Sequence, residues 1–201
     1  MNQINKPSPI LAMLIAGVLS LAGCGAAAPV EQPPLAGAAI GGDFALSNSA
    51  GQTVRWTDFA GKYRVVYFGY AYCPDVCPTD MQRIAQGLKV LKGQDPAKAA
   101  MITPLFITID PERDTQKVVG EFTAAFSPDI IGLTGTPEQI AAAAKAFKVY
   151  YAKGEPVEGG GYLVDHTNIT YLFGPDGEPL ATLPTDKDAD AIAAELDRWV
   201  K

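Results

Sequence analysis

The segment that most constrains the fold of this chain is an apolar run at residues 63–70, YRVVYFGY. β-branched and aromatic side chains occupy nearly every position, without the alternation of apolar and polar residues that a half-exposed strand shows. A run of this kind predicts a strand that is buried on both faces of a sheet. It leads directly towards two cysteines, Cys73 and Cys77, so these thiols are expected at the end of that strand.

Helical periodicity follows the cysteines. Met81, Ile84, Leu88 and Leu91 recur at three- and four-residue steps, which predicts an amphipathic helix, and Gly93 can end it. Apolar runs, capping signals and turn residues predict the later elements: a buried strand at residues 101–109, a helix at 114–126, a helix opening on the capping box at 136–139, strands at 168–173 and 178–183 around the turn GPDG, and a last helix at 188–200.

This order, β-α-β-α, a further helix, a β-hairpin and a final helix, is the pattern of a thioredoxin-like α/β domain. Short alternating segments at residues 43–56, on either side of SAGQ, predict an added N-terminal hairpin. The Gly-rich residues 150–165 are an insertion that we expect to form a mobile loop bordering the site. We therefore predict a thioredoxin-like fold with an N-terminal β-hairpin extension and an insertion before the C-terminal β-hairpin.

The first residues carry an export signal. Lys6 supplies a small positive region, residues 10–20 form a short apolar core, and residues 21–24, LAGC, give a processing site. The apolar core falls short of the roughly 20 residues that a transmembrane helix needs. The LAGC box resembles that of bacterial lipoproteins, which implies that Cys24 is lipidated and becomes the new N-terminus. The alternative is an ordinary thiol beside a signal-peptidase site.

This pattern divides the chain into a lipoprotein signal peptide at 1–23, a flexible tether at 24–42 and one folded domain at 43–201. The tether consists mainly of Ala, Pro and Gly, which cannot bury enough apolar area to order it. The remaining length suits a single well-buried core. Export places the domain in the cell envelope, facing the periplasm or the extracytoplasmic side, where disulfides persist unless something reduces them.

The net charge limits the partners. The chain carries a formal charge of −6, and it has no run of Lys or Arg that could follow a phosphate backbone. We therefore expect no nucleic-acid partner. An acidic surface supports solubility and can also attract a basic partner face.

Cys73 and Cys77 form an isolated pair, because Cys24 is taken by the lipid signal. At a strand-to-helix junction the second sulfur lies in the first helical turn, where free amides and the helix dipole stabilise a thiolate and lower its pKa. Residues four apart on a helix hold their Cβ atoms roughly 5–6 Å apart, whereas a disulfide needs about 3.5–4.5 Å. The spacing suits a soft cation such as Cu(I). A looser loop could still close a disulfide, and an incidental pair remains an alternative.

His166 is the only histidine of the chain and lies just before the predicted strand at 168–173. In a thioredoxin-like fold the segment entering this strand packs against the cysteine loop, and thioredoxins usually carry a cis-proline there. Residues 157–174 of this chain contain no proline. A lone histidine is by default a surface or hydrogen-bonded residue. Opposite two thiols it becomes a candidate third ligand, and two thiolates with one imidazole can also hold Cu(II).

A polar motif, DPERDT, begins at Asp110 at the end of the predicted strand at 101–109. It falls on the same edge of the sheet as the cysteines, where open α/β sheets place their sites. On the structural interpretation, Asp114 is a helix N-cap and Pro111 belongs to a turn. On the functional interpretation, Asp110 lies near the metal, where it tunes the pKa of a thiol or accepts a hydrogen bond. The sequence supports both.

Three blocks together resemble the SCO/SenC family of copper proteins: YFGYAYCPDVCPTD, TIDPERDT and VDHTNITYLFGPDG. They stand in the order and separation of that family, and the similarity extends over nearly all of residues 43–201. The resemblance implies a thioredoxin fold, membrane tethering, and ligation of one copper ion, Cu(I) or Cu(II), by Cys73, Cys77 and His166. Many members are held by a transmembrane helix, whereas Cys24 indicates a lipid anchor.

The resemblance also implies a function. It predicts a copper metallochaperone that delivers copper to the dinuclear centre of cytochrome c oxidase subunit II, with other periplasmic copper chaperones as further candidate partners. Cys73 and Cys77 alone support an alternative, a thiol–disulfide reductase that uses them as a catalytic redox pair to keep the oxidase copper-site cysteines reduced. A third hypothesis is a copper or redox sensor. The sequence does not decide whether the chain is an enzyme. Zinc is disfavoured as the metal because its structural sites usually have four protein ligands.

Overall fold

Strands and helices alternate along the part of the chain that the computed structural model describes, residues 31–157 and 160–201. The predicted signal peptide and Cys24 lie outside the described residues. The strands are β1 Ala45–Asn48, β2 Thr53–Arg55, β3 Tyr63–Gly69, β4 Ile102–Thr108, β5 Ile131–Thr134, β6 Tyr151–Pro156, β7 Tyr162–His166, β8 Thr170–Phe173 and β9 Pro179–Leu183. The helices are α1 Val76–Gln94, α2 Pro96–Ala100, α3 Gln116–Ala124, α4 Pro137–Ala146 and α5 Ala189–Trp199.

Within the described residues, the strands form a seven-stranded sheet in the order β2-β1-β5-β4-β3-β8-β9 and a separate pair, β6-β7. Strand β3 is parallel to β4 on one side and antiparallel to β8 on the other. Every residue of β3 is buried, as the apolar run predicts. The parallel strands β3 and β4 both end at one edge of the sheet, which places the residues after Gly69 and Thr108 next to each other.

Side chains of β3 alternate between two packed faces. Phe68 lies against Phe147, at the end of α4, with ring centroids 5.4 Å apart. Tyr67 points to the other face, where its hydroxyl donates to the Asp80 carboxylate of α1 at 3.1 Å. Helices on both faces therefore bury the strand, and the thioredoxin-like α/β fold is confirmed. Among the described helices, none has the length and hydropathy needed to cross a bilayer.

The N-terminal hairpin is confirmed as β1-β2, and the C-terminal hairpin as β8-β9. Two short elements were not predicted, α2 and β5, which contain five and four residues. Helix α1 continues through Gly93 to Gln94, and the Asp95 carboxylate then caps α2 by accepting from the amides of Ala97 and Lys98, each at 3.0 Å. Elements this short carry too few apolar positions to give a period.

The insertion at 150–165 differs from the expected loop. Its described residues contain β6 and β7, which pair antiparallel with Tyr151 opposite His166. Their burial is irregular, and most of their side chains are exposed or half-buried. A strand pair with no continuously buried face has no alternating pattern to detect. The finding matters for function, because His166 is the last residue of β7.

Candidate metal centre

The two cysteines lie where β3 gives way to α1. Cys73 is in the connecting turn, and its amide donates to the Tyr70 carbonyl at 3.2 Å. Cys77 is the second residue of α1, in the first turn as predicted. The Cys77 amide donates to the Cys73 sulfur at 3.4 Å. Both cysteines are free thiols, with Cys77 buried and Cys73 half-buried.

His166 completes a cluster with the cysteines. The ligand atoms of Cys73, Cys77 and His166 all lie within 4.8 Å of one another. The imidazole Nε2 is 3.4 Å from the Cys77 sulfur. The structure thus brings together the three residues that the sequence predicts as ligands. Cys77 and His166 are 89 positions apart in the chain.

The orientation of the imidazole suits ligation. His166 Nδ1 lies 3.0 Å from the Thr167 carbonyl oxygen. Since a carbonyl can only accept, Nδ1 carries the proton, and Nε2 presents its lone pair to the sulfurs. Burial lowers the pKa of His166 below its ordinary value of 6.5, although the Thr167 contact opposes this. The imidazole is therefore neutral at pH 7 and available to a metal ion.

The Cys77 thiol behaves differently from the sequence-based expectation. Its helix-terminal position predicts a lowered pKa, but burial raises the pKa of Cys77 above its ordinary value of 9.0. A hydrogen bond from the Tyr70 backbone opposes this shift without reversing it. Removal from water outweighs the amides of the first helical turn. Cys77 is thus protonated when no metal is bound, and a metal ion must displace its proton.

The donor set fits a soft or borderline metal. Two sulfurs and one imidazole nitrogen converge from two separate segments, a combination that suits both copper oxidation states. Cys77 is inaccessible to solvent, whereas Cys73 is half-exposed, so an ion held by all three residues would be reached from the Cys73 side.

Comparison with known proteins agrees with this geometry. The profile described as SCO1/SenC matches residues 32–201. This chain belongs to the SCO1/SenC family. Protein SenC of Rhodobacter capsulatus is 49% identical over 145 residues, which cover 70% of this chain and 61% of that protein. The human mitochondrial SCO1 homolog is 40% identical over 157 residues, which cover 78% of this chain and 52% of that protein. The chain therefore spans between half and two thirds of these relatives.

Solved SCO1/SenC structures share the fold. A structure of Bradyrhizobium japonicum ScoI with copper bound has a TM-score of 0.72 at 36% identity, covering 80% of this chain and 99% of that one. A crystal structure of Arabidopsis thaliana ScoI with copper bound has a TM-score of 0.74 at 36% identity, covering 80% and 98% of the two chains.

Two tyrosines that sequence reasoning did not assign to the site form its walls. The rings of Tyr67 and Tyr70 stand edge-on to the His166 imidazole, with centroids 6.4 and 5.9 Å from it. The Tyr70 hydroxyl accepts from the Val164 amide of β7 at 3.2 Å. These contacts limit rotation of the imidazole. Both tyrosines belong to the YFGY part of the SCO1/SenC motif, where the apolar pattern masks any second role.

Asp114 stabilises the loop that carries Cys73 through a hydrogen bond to its backbone. It is completely buried, and its Oδ2 accepts from the Ala71 amide at 2.9 Å and from the Thr108 hydroxyl at 2.6 Å. The prediction that Asp114 caps a helix is wrong, because Thr115 is the N-cap of α3 and accepts from the Val118 amide. One carboxylate therefore joins the end of β4 to the loop that carries Cys73.

Asp110 lies close to the site, but its carboxylate forms its hydrogen bonds with residues outside the Cys–Cys–His cluster. It is buried, pairs with the Arg113 guanidinium, and accepts from the Tyr162 hydroxyl at 2.7 Å. Neither partner is a predicted ligand. The position of Asp110 at this sheet edge follows the sequence-based expectation, but its contacts lead to β7 rather than to the thiols.

Proposed function

We propose that this chain binds one copper ion through Cys73, Cys77 and His166 and delivers it to the dinuclear centre of cytochrome c oxidase subunit II. The observation that carries this proposal is the convergence of the three ligand atoms within 4.8 Å, with His166 Nε2 3.4 Å from the Cys77 sulfur. Copper-bound ScoI structures at 36% identity support copper as the ion. Membership of the SCO1/SenC family supports the oxidase as the recipient.

The exposure of the ligands indicates how copper would move. Cys77 is buried and His166 is packed against two tyrosines, so these two ligands hold the ion from within. Cys73 is half-exposed, so a sulfur or nitrogen ligand of a partner can approach the ion beside it. Copper is the cargo and keeps its oxidation state, while one protein ligand replaces another. When a cysteine thiolate of this chain releases copper, it takes up a proton.

Copper titration of the purified protein tests the ligand set. We expect Cys77→Ser and His166→Ala to lower copper affinity and to change or abolish the Cu(II)–thiolate absorption band, because each removes one of three ligands. Cys24→Ser is the matched control, since it removes the remaining cysteine, which the sequence assigns to the lipid signal and not to the ligand set. His166→Ala with full affinity and an unchanged band would overturn the site. Transfer from the loaded protein to a copper-free subunit II fragment then tests the recipient.

A reductase activity is a second candidate, favoured by the unequal exposure of two free thiols. The half-exposed Cys73 thiolate would attack a partner disulfide and form a mixed disulfide. Cys77 would then attack Cys73 Sγ, releasing the partner as a dithiol and leaving a Cys73–Cys77 disulfide. An exported dithiol reductant must restore the pair. Protein that transfers copper but never exchanges disulfides with the same fragment would exclude this activity, and His166→Ala should leave it intact.

We also propose that the mature protein is attached to the membrane through a lipid on Cys24 and faces the extracytoplasmic side of the cell envelope. The LAGC box supports this assignment. Metabolic labelling with a radioactive fatty acid tests it. We expect label on the wild-type protein and none on Cys24→Ser, whereas equal labelling of the two would refute the anchor.

A further inference from the structure

The third ligand of the centre lies on a substructure with little support of its own. In the described residues, β6 and β7 pair only with each other and not with the seven-stranded sheet. An isolated two-stranded hairpin is marginally stable in water. Side-chain contacts must therefore hold the hairpin, and with it His166, against the domain.

One group of contacts holds the start of β7. Tyr162 donates from its hydroxyl to Asp110 Oδ1 at 2.7 Å, and its carbonyl accepts from Arg113 Nη1 at 2.9 Å. The Arg113 guanidinium also stacks on the Tyr162 ring, 3.7 Å from the centroid. Asp110 and Arg113 form an ion pair with each other. We call these three residues the clasp.

The clasp is fixed to the same part of the fold as the cysteines. Asp110 is only 4% exposed, and its carbonyl accepts from the Asp114 amide at 2.9 Å. The Asp114 carboxylate in turn holds the Ala71 amide of the cysteine loop. The turn between β4 and α3 therefore contacts both the loop that carries Cys73 and the strand that carries His166.

Other hairpin contacts are weaker or serve a different position. Lys153 pairs with Glu112 at 2.7 Å, but both side chains are more than half exposed, and exposed pairs contribute little. Val164, in the middle of β7, is buried in the hydrophobic core, and its amide donates to the Tyr70 hydroxyl. The clasp is the contact that combines a buried charge, a stacked ring and a backbone bond.

We propose that Tyr162 is a positioning residue for His166, and that the clasp sets how long copper stays bound. This inference rests on the proposed copper site. Tyr162 is four residues from His166, about 13 Å along an extended strand, so it acts through β7 and not on the metal. With the clasp intact, Nε2 stays opposite Cys77. When the clasp is lost, the hairpin opens more often, and copper is then held by the two cysteines alone.

The test compares two tyrosine-to-phenylalanine variants of the same hairpin. Tyr162→Phe removes the bond to Asp110 and the longer contact with Glu112 Oε2, at 3.3 Å, but keeps the ring over Arg113. Tyr151→Phe makes the same chemical change on β6, where the hydroxyl has no hydrogen-bond partner among the described residues. Copper loss is measured as the rate of transfer to an excess of a Cu(I) chelator. The Cu(II)–thiolate absorption band reports the ligand geometry, and urea unfolding of the copper-free protein confirms that each variant folds.

We expect Tyr162→Phe to lose copper at least about tenfold faster than wild type, with a shifted absorption band, because a hydrogen bond to a charged group is replaced by none. Tyr151→Phe should match wild type. Equal rates for Tyr162→Phe and wild type, alongside fast loss from His166→Ala, would overturn the clasp and leave the proposed function standing. Equal acceleration by both phenylalanine variants would also overturn it. If His166→Ala itself behaves as wild type, the proposed ligand set fails.

Discussion

Gly69 is the last residue of β3 and lies directly against Cys77, where there is no room for a side chain. A methyl group at this position would come within 2.7 Å of Tyr67 Cε1, 3.0 Å of Cys77 Sγ and 3.2 Å of Phe106 Cε2. All three neighbours are almost completely buried, so none can move into solvent. We predict that Gly69→Ala destabilises the protein by about 1–3 kcal/mol, the usual cost of overpacking a core.

The same substitution should weaken copper binding. The Cys77 sulfur must move by a few tenths of an ångström to relieve the contact, whereas ligand distances in metal sites are held to about 0.2 Å. Urea unfolding of the copper-free protein measures the first effect, and competition with a Cu(I) chelator measures the second. Destabilisation without any loss of copper affinity would show that the sulfur does not take up the strain.

Gly93→Ala provides the control. Gly93 is an exposed residue of α1, and a methyl group there would have no neighbour within 4 Å. Alanine is the better helix former by up to about 1 kcal/mol, so this variant should be as stable as wild type or more so, with unchanged copper affinity. If Gly69→Ala were as stable as wild type and bound copper equally well, the packing argument would be refuted.

A buried acid, a ligand thiol and a helix cap each give a further prediction. Burial raises the pKa of Asp114 above its ordinary 3.8, so the protonated side chain favours the folded state, and this contribution is lost as pH rises through the folded-state pKa. Asp114→Asn should therefore gain stability relative to wild type in urea unfolding as pH rises above 3.8, and a constant difference would contradict this. Because Cys77 must lose a proton, Cu(I) affinity in chelator competition should rise from pH 6 to 8, and a pH-independent affinity would contradict it. Thr136→Ala removes the cap of α4 and should cost about 1 kcal/mol, also measured in urea, and unchanged stability would contradict it.

Much of the fold could be predicted because burial selects side chains at fixed spacing. The run at 63–70 predicts β3 to within one residue, and the three- and four-residue steps after Cys77 predict α1. Strand β5 has four residues and includes a glycine, so it leaves no comparable pattern. The hairpin β6-β7 depends on backbone pairing between mostly exposed residues, which constrains composition very little.

The three residues of the cluster could also be predicted, because few residue types suit copper and the chain has one histidine. The groups that support them could not. Tyr162 and Asp110 are 52 positions apart, and only the folded topology brings them together. The predicted lowering of the Cys77 pKa was wrong for a related reason. The sequence indicates that Cys77 is near a helix N-terminus, but it does not indicate that the thiol is excluded from water.

The centre joins two parts of the chain that are held by different forces. The cysteines extend from β3, which is bonded on both sides by backbone ladders to β4 and β8. His166 extends from a hairpin whose described contacts with the domain depend largely on side chains. A metal ion bound by all three residues would cross-link these parts, and its binding free energy would add to the stability of the docked hairpin. A stronger clasp would keep His166 ordered before the ion binds, and would therefore lower the part of the binding free energy that is lost in ordering this residue.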